Sequence, residues 1–129
     1  MFDKYMIVED GFGNVTQDGV VTGFKFGARL PYYRGLGLSM VEDVGVTVDG
    51  RTFPHDTVRL TVHGNTYTLD EMESIYDDRW EFGEVATVTV NTLGGLTPGP
   101  HKIELAERLR ISYMPVLSNT RDVKTLVIG

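Results

Sequence analysis

The sequence has little that helices, membranes or thiol chemistry require. It contains no cysteine, so neither disulfides nor thiolates contribute to its fold or chemistry. Three alanines stand against 35 residues of Val, Ile and Thr, a bias that favours β-sheets over helices. No apolar run approaches the roughly 18 residues that cross a bilayer, and the N-terminal residues lack the pattern of an export signal. These absences predict an all-β, cytoplasmic chain with no membrane contact.

Basic residues are also scarce. Twelve Lys and Arg face 18 Asp and Glu, for a net charge of -6. Seven of the acids lie between Asp70 and Glu84, where Arg79 is the single base. Binding of nucleic acid needs a basic stripe that neutralises phosphates, and the sequence has none. We therefore expect no nucleic-acid partner.

The spacing of alternating segments predicts an antiparallel β-sandwich. Apolar and polar residues alternate in runs separated by turn residues about every eight to twelve positions, as in sandwiches and barrels. Val85–Val90 is one such run, and Asp49–Gly50 predicts a tight hairpin. The 129 residues contain no linker or repeat that would separate a second domain. We expect a single β-sandwich domain over residues 1–129.

One short stretch departs from the period of a strand. Met72, Ile75 and Tyr76 are spaced as on a helix, and Thr68 and Glu71 have the spacing of a capping box. The pattern predicts a short helix or helical turn near residues 70–76.

A search for catalytic groups finds no complete set. His55, His63 and His101 are separated by 8 and 38 residues, which matches none of the short-spaced ligand pairs of zinc sites. His63 is interpreted as a solvated or loop-capping residue. The sequence also lacks a Gly-x-Ser-x-Gly elbow and a phosphate-binding glycine loop. Apart from the carboxylates of residues 70–84, whose pairing the sequence does not establish, we expect no catalytic residue and no metal site in this chain.

Two segments carry unusual side chains. Tyr32, Tyr33 and Arg34 lie in a stretch punctuated by glycines, and tyrosine with arginine is typical of protein interfaces. The only tryptophan, Trp80, lies among charged residues, where it serves either as a second contact or as part of the core. We expect a partner interface or active-site rim formed by Tyr32, Tyr33, Arg34, Gly35, Leu36 and Trp80.

Several of these motifs together resemble one family. The chain resembles the small β subunit of bacterial C-glycoside deglycosidases over nearly its whole length. The most specific matches are Leu30-Pro31-Tyr32-Tyr33-Arg34-Gly35 and Trp80-Glu81-Phe82-Gly83. Further matches, in the same order along the chain, are Val48-Asp49-Gly50, His63 to Glu71, Gly94 to His101, and Arg110-Ile111-Ser112-Tyr113. Gly37 stands where many relatives are expected to have proline.

The resemblance implies a two-subunit enzyme. The larger α subunit of this family is similar to a sugar isomerase or epimerase TIM barrel, holds a divalent metal, usually manganese, and supplies the acid and base groups. Its substrate is a 3-oxo-glucosyl C-glycoside of a flavonoid or similar polyphenol. The ketone acidifies the C2 proton, and removal of that proton expels the aglycone from C1. The β subunit is a small sandwich that binds the barrel and is needed for activity.

Two other classes of function stay open at this point. A stand-alone carbohydrate-binding or structural module would bind sugar through Trp80 and the tyrosines. A small hydrolase would use paired carboxylates from residues 70–84 and turn over substrate without a partner.

Overall fold

The fold consists of two antiparallel sheets packed face to face. A computed structural model describes residues 6–30, 36–75, 78–81, 84–109 and 118–128. The strands are β1 (Ile7–Gln17), β2 (Val20–Ala28), β3 (Leu36–Gly37), β4 (Val41–Val48), β5 (Arg51–Thr52), β6 (Val58–Val62), β7 (Asn65–Thr68), β8 (Arg79–Trp80), β9 (Ala86–Asn91), β10 (Gly99–Leu109) and β11 (Ser118–Ile128). The predicted all-β sandwich is confirmed.

The sheets differ in size. One has the order β1-β2-β9-β6-β7 and the other β11-β10-β4-β5, while β3 and β8 form a separate two-stranded ribbon. The inner faces of both large sheets form one core, with Phe24, Leu60 and Leu105 among its fully buried members. At one side of the sandwich Ile7 of β1 meets β11, since its N–H donates to Asp122 and its carbonyl accepts from Lys124. Apolar burial between the sheets supplies the main driving force for this arrangement.

Alternation places side chains as the sequence predicts. Val58, Leu60 and Val62 are buried on β6, whereas Arg59 and Thr61 between them are only partly covered. Strand β10 continues the alternation without a break to Leu109. Its inward positions include one acid, Glu107, which is 1% exposed.

Tight turns join the hairpins. Asp49 and Gly50 have φ angles of 50° and 85°, so the predicted hairpin between β4 and β5 is confirmed. The same two-residue geometry recurs at Asp18–Gly19, between β1 and β2, and at His63–Gly64, between β6 and β7. Positive φ at both positions matches the twist of the flanking strands.

The predicted helical turn near residues 70–76 is confirmed in its first part, and Tyr76 lies outside the described residues. Helix α1 spans Leu69–Met72. The Thr68 side chain accepts a hydrogen bond from the Glu71 N–H at 3.1 Å, and the Glu71 carboxylate accepts one from the Thr68 N–H at 2.8 Å. This capping box satisfies backbone donors at the start of the helix.

No helix among the described residues is long and apolar enough to span a bilayer.

Gly23 lies at a close approach between two strands. A Cβ atom built at this position would stand 2.0 Å from the backbone oxygen of Val90 on the neighbouring strand β9. Only glycine leaves room for the β2–β9 pairing at this point.

Candidate functional site

Leu36 and Trp80, the two predicted interface residues that the structure describes, lie on paired strands. Leu36 pairs with Trp80, and Gly37 with Arg79, to form the β3–β8 ribbon. The N–H of Leu38, just beyond the ribbon, donates to the Asp78 carbonyl at 3.1 Å. Of the predicted interface, Tyr32, Tyr33, Arg34 and Gly35 lie outside the described residues. The described chain resumes at Leu36, the first residue of the ribbon.

Trp80 is a core residue of this chain. Its side chain is 0% exposed, and its Nε1–H donates to the Glu84 carbonyl at 3.0 Å. Burial confirms the core alternative for the ring, which therefore supports the ribbon from within. In the carbohydrate-binding alternative, sugar would bind to this ring. A fully buried ring cannot contact a sugar. A role for Trp80 at an interface stays a prediction. In that role Trp80 would act indirectly, because its buried ring supports the ribbon.

His63 joins the two flanks of β8 to the β6–β7 hairpin. Its Nδ1 lies 2.7 Å from Asp78 Oδ1, and its Nε2 lies 2.6 Å from Glu84 Oε2. Asp78 precedes β8 and Glu84 follows it, so one ring cross-links both flanks. We call His63, Asp78 and Glu84 the histidine clamp.

Asp78 is the most heavily bonded member of the clamp. One carboxylate oxygen accepts from His63 and from the Arg79 N–H, and the other accepts from the Tyr67 hydroxyl at 3.0 Å. The Asp78 side chain is only 15% exposed. Hydrogen bonds to an ionised acceptor are stronger than neutral ones, so this carboxylate fixes β8 to both β7 and the β6–β7 turn.

The clamp stabilises charge on the imidazole ring. Hydrogen bonds to Asp78 and then to Glu84 raise the pKa of His63. In return, the hydrogen bond from His63, with contributions from Tyr67 and the Arg79 N–H, lowers the pKa of Asp78. Both ring nitrogens face carboxylates, and only an imidazolium donates from both.

The other two histidines have comparable environments. His55 lies between Asp43 and Asp70, at 2.9 and 3.0 Å. These two hydrogen bonds outweigh the opposing effect of partial burial and raise its pKa. His101 donates to the Thr97 carbonyl at 2.7 Å and to Asp49 at 2.6 Å, which also raises its pKa. All three rings therefore serve as cross-links between elements of this chain.

The described residues offer no group of three or more His, Asp and Glu arranged to hold a metal ion. Within the acidic stretch, the Asp78 and Glu84 carboxylates both bind the same imidazolium. The sequence could not reveal this arrangement, because the partners of His63 lie 15 and 21 residues away along the chain. The only available signal was a histidine directly before glycine between two predicted strands.

Comparisons with known proteins identify relatives over most of the chain. Residues 2–113 match the family model described as C-glycoside deglycosidase beta subunit. A C-glycoside deglycosidase beta subunit of Eubacterium cellulosolvens is 35% identical over 114 residues, which cover 88% of this chain and 78% of the relative. A 3'-dehydrocarminate deglycosidase beta subunit of a Microbacterium species is 37% identical over 116 residues, which cover 90% and 83%. A C-glycoside deglycosidase beta subunit of Arthrobacter globiformis is 30% identical over 96 residues, which cover 73% and 72%.

The fold and the clamp define a small β-sandwich protein whose histidines cross-link its strands and turns. The relatives show the family of this protein. The chain belongs to the C-glycoside deglycosidase beta subunit family.

Proposed function

We propose that this chain is the β subunit of a cytoplasmic, heteromeric C-glycoside deglycosidase and is active only together with a larger α subunit. The observation that carries the proposal is the family match over residues 2–113, supported by relatives that are all named as beta subunits. The name beta subunit implies a partner chain. The proposed partner resembles a sugar isomerase or epimerase TIM barrel and supplies the acid and base groups.

The proposed reaction is a β-elimination on an oxidised C-glucoside. A base removes the proton at C2, which the ketone at C3 acidifies, and the electron pair forms a C1–C2 double bond. The bond between C1 and the aromatic carbon breaks, and that carbon takes up a proton as the aglycone leaves. A divalent metal in the α subunit, for which we propose manganese, would polarise the ketone when bound. The name of the Microbacterium relative specifies a 3'-dehydro substrate, which supports this choice of an oxidised sugar.

The contacts of the three histidines support placing the acid and base groups on the partner. Every histidine of the chain bonds through both ring nitrogens to acceptors within the chain. A histidine that acts as a general base needs a free nitrogen within reach of the substrate proton. The proposal therefore gives this chain a binding and organising role beside the α subunit.

Arg34 is proposed as an anchor of the subunit interface, together with Tyr32 and Tyr33. Replacing Arg34 by Ala is expected to weaken assembly about thirtyfold, because arginines at the centre of interfaces often contribute 2 kcal/mol or more. Co-purification with the α subunit and titration calorimetry would measure the change. Arg108→Ala, on the exposed face of β10, is the matched control and should assemble normally. Unchanged assembly and turnover of the Arg34 variant would remove this residue from the interface.

A further inference from the structure

The β6–β7 turn uses a residue that the other tight hairpins do not. Asp18–Gly19 and Asp49–Gly50 place aspartate at the first turn position, with φ of 51° and 50°. His63 takes the same position with φ of 54°. Aspartate, asparagine and histidine are all enriched in this left-handed conformation. Histidine therefore suits the turn as aspartate does, and it differs from aspartate in what its side chain can bind.

The His63 side chain forms a cross-link that an aspartate at this position could not form. The His63 side chain donates to Asp78 on one side of β8 and to Glu84 on the other. Aspartate at this position would add a third carboxylate. Asparagine has one side-chain nitrogen, whereas the histidine ring has two, on opposite sides. The histidine thus links a hairpin of the five-stranded sheet to a segment outside that sheet.

The linked segment is the one that pairs with β3. The backbone carbonyl of Asp78 accepts a hydrogen bond from the Leu38 N–H. The backbone carbonyl of Glu84 accepts one from the indole N–H of Trp80. Both flanks of β8 are therefore tied to the clamp and to the ribbon at once. A change at His63 would be transmitted to the β3–β8 ribbon through these hydrogen bonds.

We propose that His63 is a positioning residue for subunit assembly, which holds the β3–β8 ribbon in the orientation that the α subunit recognises. This inference rests on the proposed function, because it takes the ribbon to lie at the subunit interface.

The charges around the ring make the clamp sensitive to pH. Asp78 and Glu84 bond to the ring, Tyr67 bonds to Asp78, and Arg79 is paired with Glu81 at 2.7 Å. The ring is 44% exposed and exchanges protons with solvent. Because the pKa of His63 is raised in the folded chain, the clamp is complete below pH 6.5, the ordinary value for histidine. It is lost as the pH rises through the raised value, when Asp78 and Glu84 lose their shared cation.

The test compares His63→Asn with His55→Asn in complex with the α subunit. Asparagine keeps the left-handed turn and removes the cation, while His55 is an equally exposed histidine that bridges Asp43 and Asp70 away from β8. Dissociation constants would be measured between pH 6 and pH 9 for both variants and the unmodified chain. Amide hydrogen exchange of Arg79 and Trp80 would report on the ribbon itself.

We expect His63→Asn to assemble about tenfold more weakly at low pH, a typical size for effects transmitted between sites. The affinity of the unmodified chain for the α subunit should fall as the pH rises, and the variant should lose this dependence. Faster exchange at Arg79 and Trp80 should accompany the loss, and His55→Asn should behave as the unmodified chain. Equal affinity and an equal pH profile for His63→Asn would overturn the inference while leaving the proposed function intact. Failure of the unmodified chain to assemble at any pH would instead contradict the proposed function, and the inference with it.

Discussion

Replacing Trp80 by Ala is expected to lower the free energy of unfolding by about 3–5 kcal/mol, the range for removing a large aromatic side chain from a core. The indole ring is 0% exposed and donates its N–H to the Glu84 carbonyl. Its loss leaves a cavity beneath the β3–β8 ribbon and an unpaired carbonyl oxygen. Urea unfolding of the purified chain would measure the change in free energy.

Two further variants separate the causes of this loss. Trp80→Phe keeps most of the ring but not the donor, and we expect it to cost about 1–3 kcal/mol. Leu93→Ala removes an apolar side chain that is 83% exposed and should change stability by less than about 0.5 kcal/mol. If Trp80→Ala unfolded at the same urea concentration as Leu93→Ala, the ring would not be part of the core.

Replacing Glu107 by Leu is expected to stabilise the chain by about 1–3 kcal/mol at pH 7. Neither side-chain oxygen of Glu107 has a hydrogen-bond partner within the described part of the chain, although the residue is 1% exposed. Leaving a polar group buried and unpaired is costly, and an apolar residue of similar volume removes that cost. Thermal and urea unfolding would both detect the gain.

The stabilisation should depend on pH. Burial, with a further contribution from the charge of Asp122, raises the pKa of Glu107 well above 4.5, its ordinary value. The folded chain therefore holds a proton that the unfolded chain releases, so this residue lowers stability as the pH rises from 4.5 through the raised value. Glu107→Gln should remove this part of the pH dependence.

Glu104→Gln is the matched control for Glu107. Glu104 lies on the opposite face of β10 and pairs with the exposed Arg121 at 2.9 Å. The Glu104 side chain is 17% exposed and that of Arg121 is 67% exposed. Ion pairs near the surface contribute up to about 1 kcal/mol, so the control should change stability by no more than that. A Glu107→Leu variant less stable than the unmodified chain would show that the buried carboxyl is satisfied and stabilising.

Local patterns predicted most of the sheet structure. Alternation in β6 and β9, the Asp49–Gly50 hairpin and the capping box of Thr68 and Glu71 depend on residues near one another in sequence, and all are confirmed. Strand β1 was not predicted, because Glu9, Asp10 and two glycines interrupt its alternation and β2 pairs with it across shifts in register. The alternation of β10 does not follow from its sequence alone, because its inward positions include an acid, Glu107.

Long-range contacts account for what the sequence could not predict. The ribbon joins Leu36 to Trp80, and the clamp joins His63 to Glu84. Neither pairing follows from spacing, because the folding of both sheets brings these residues together. The burial of Trp80 results from the same long-range arrangement. The sequence alone leaves two alternatives for this residue, an interface contact or a place in the core.

The central claim is that this chain completes an enzyme whose reacting groups lie on another subunit. The most direct measurement is the cleavage of a 3-oxo C-glucoside by the α subunit expressed alone, by this chain alone, and by the two expressed together. We expect release of the aglycone only from the pair. Turnover by this chain alone, or equal turnover by the α subunit without it, would contradict the account.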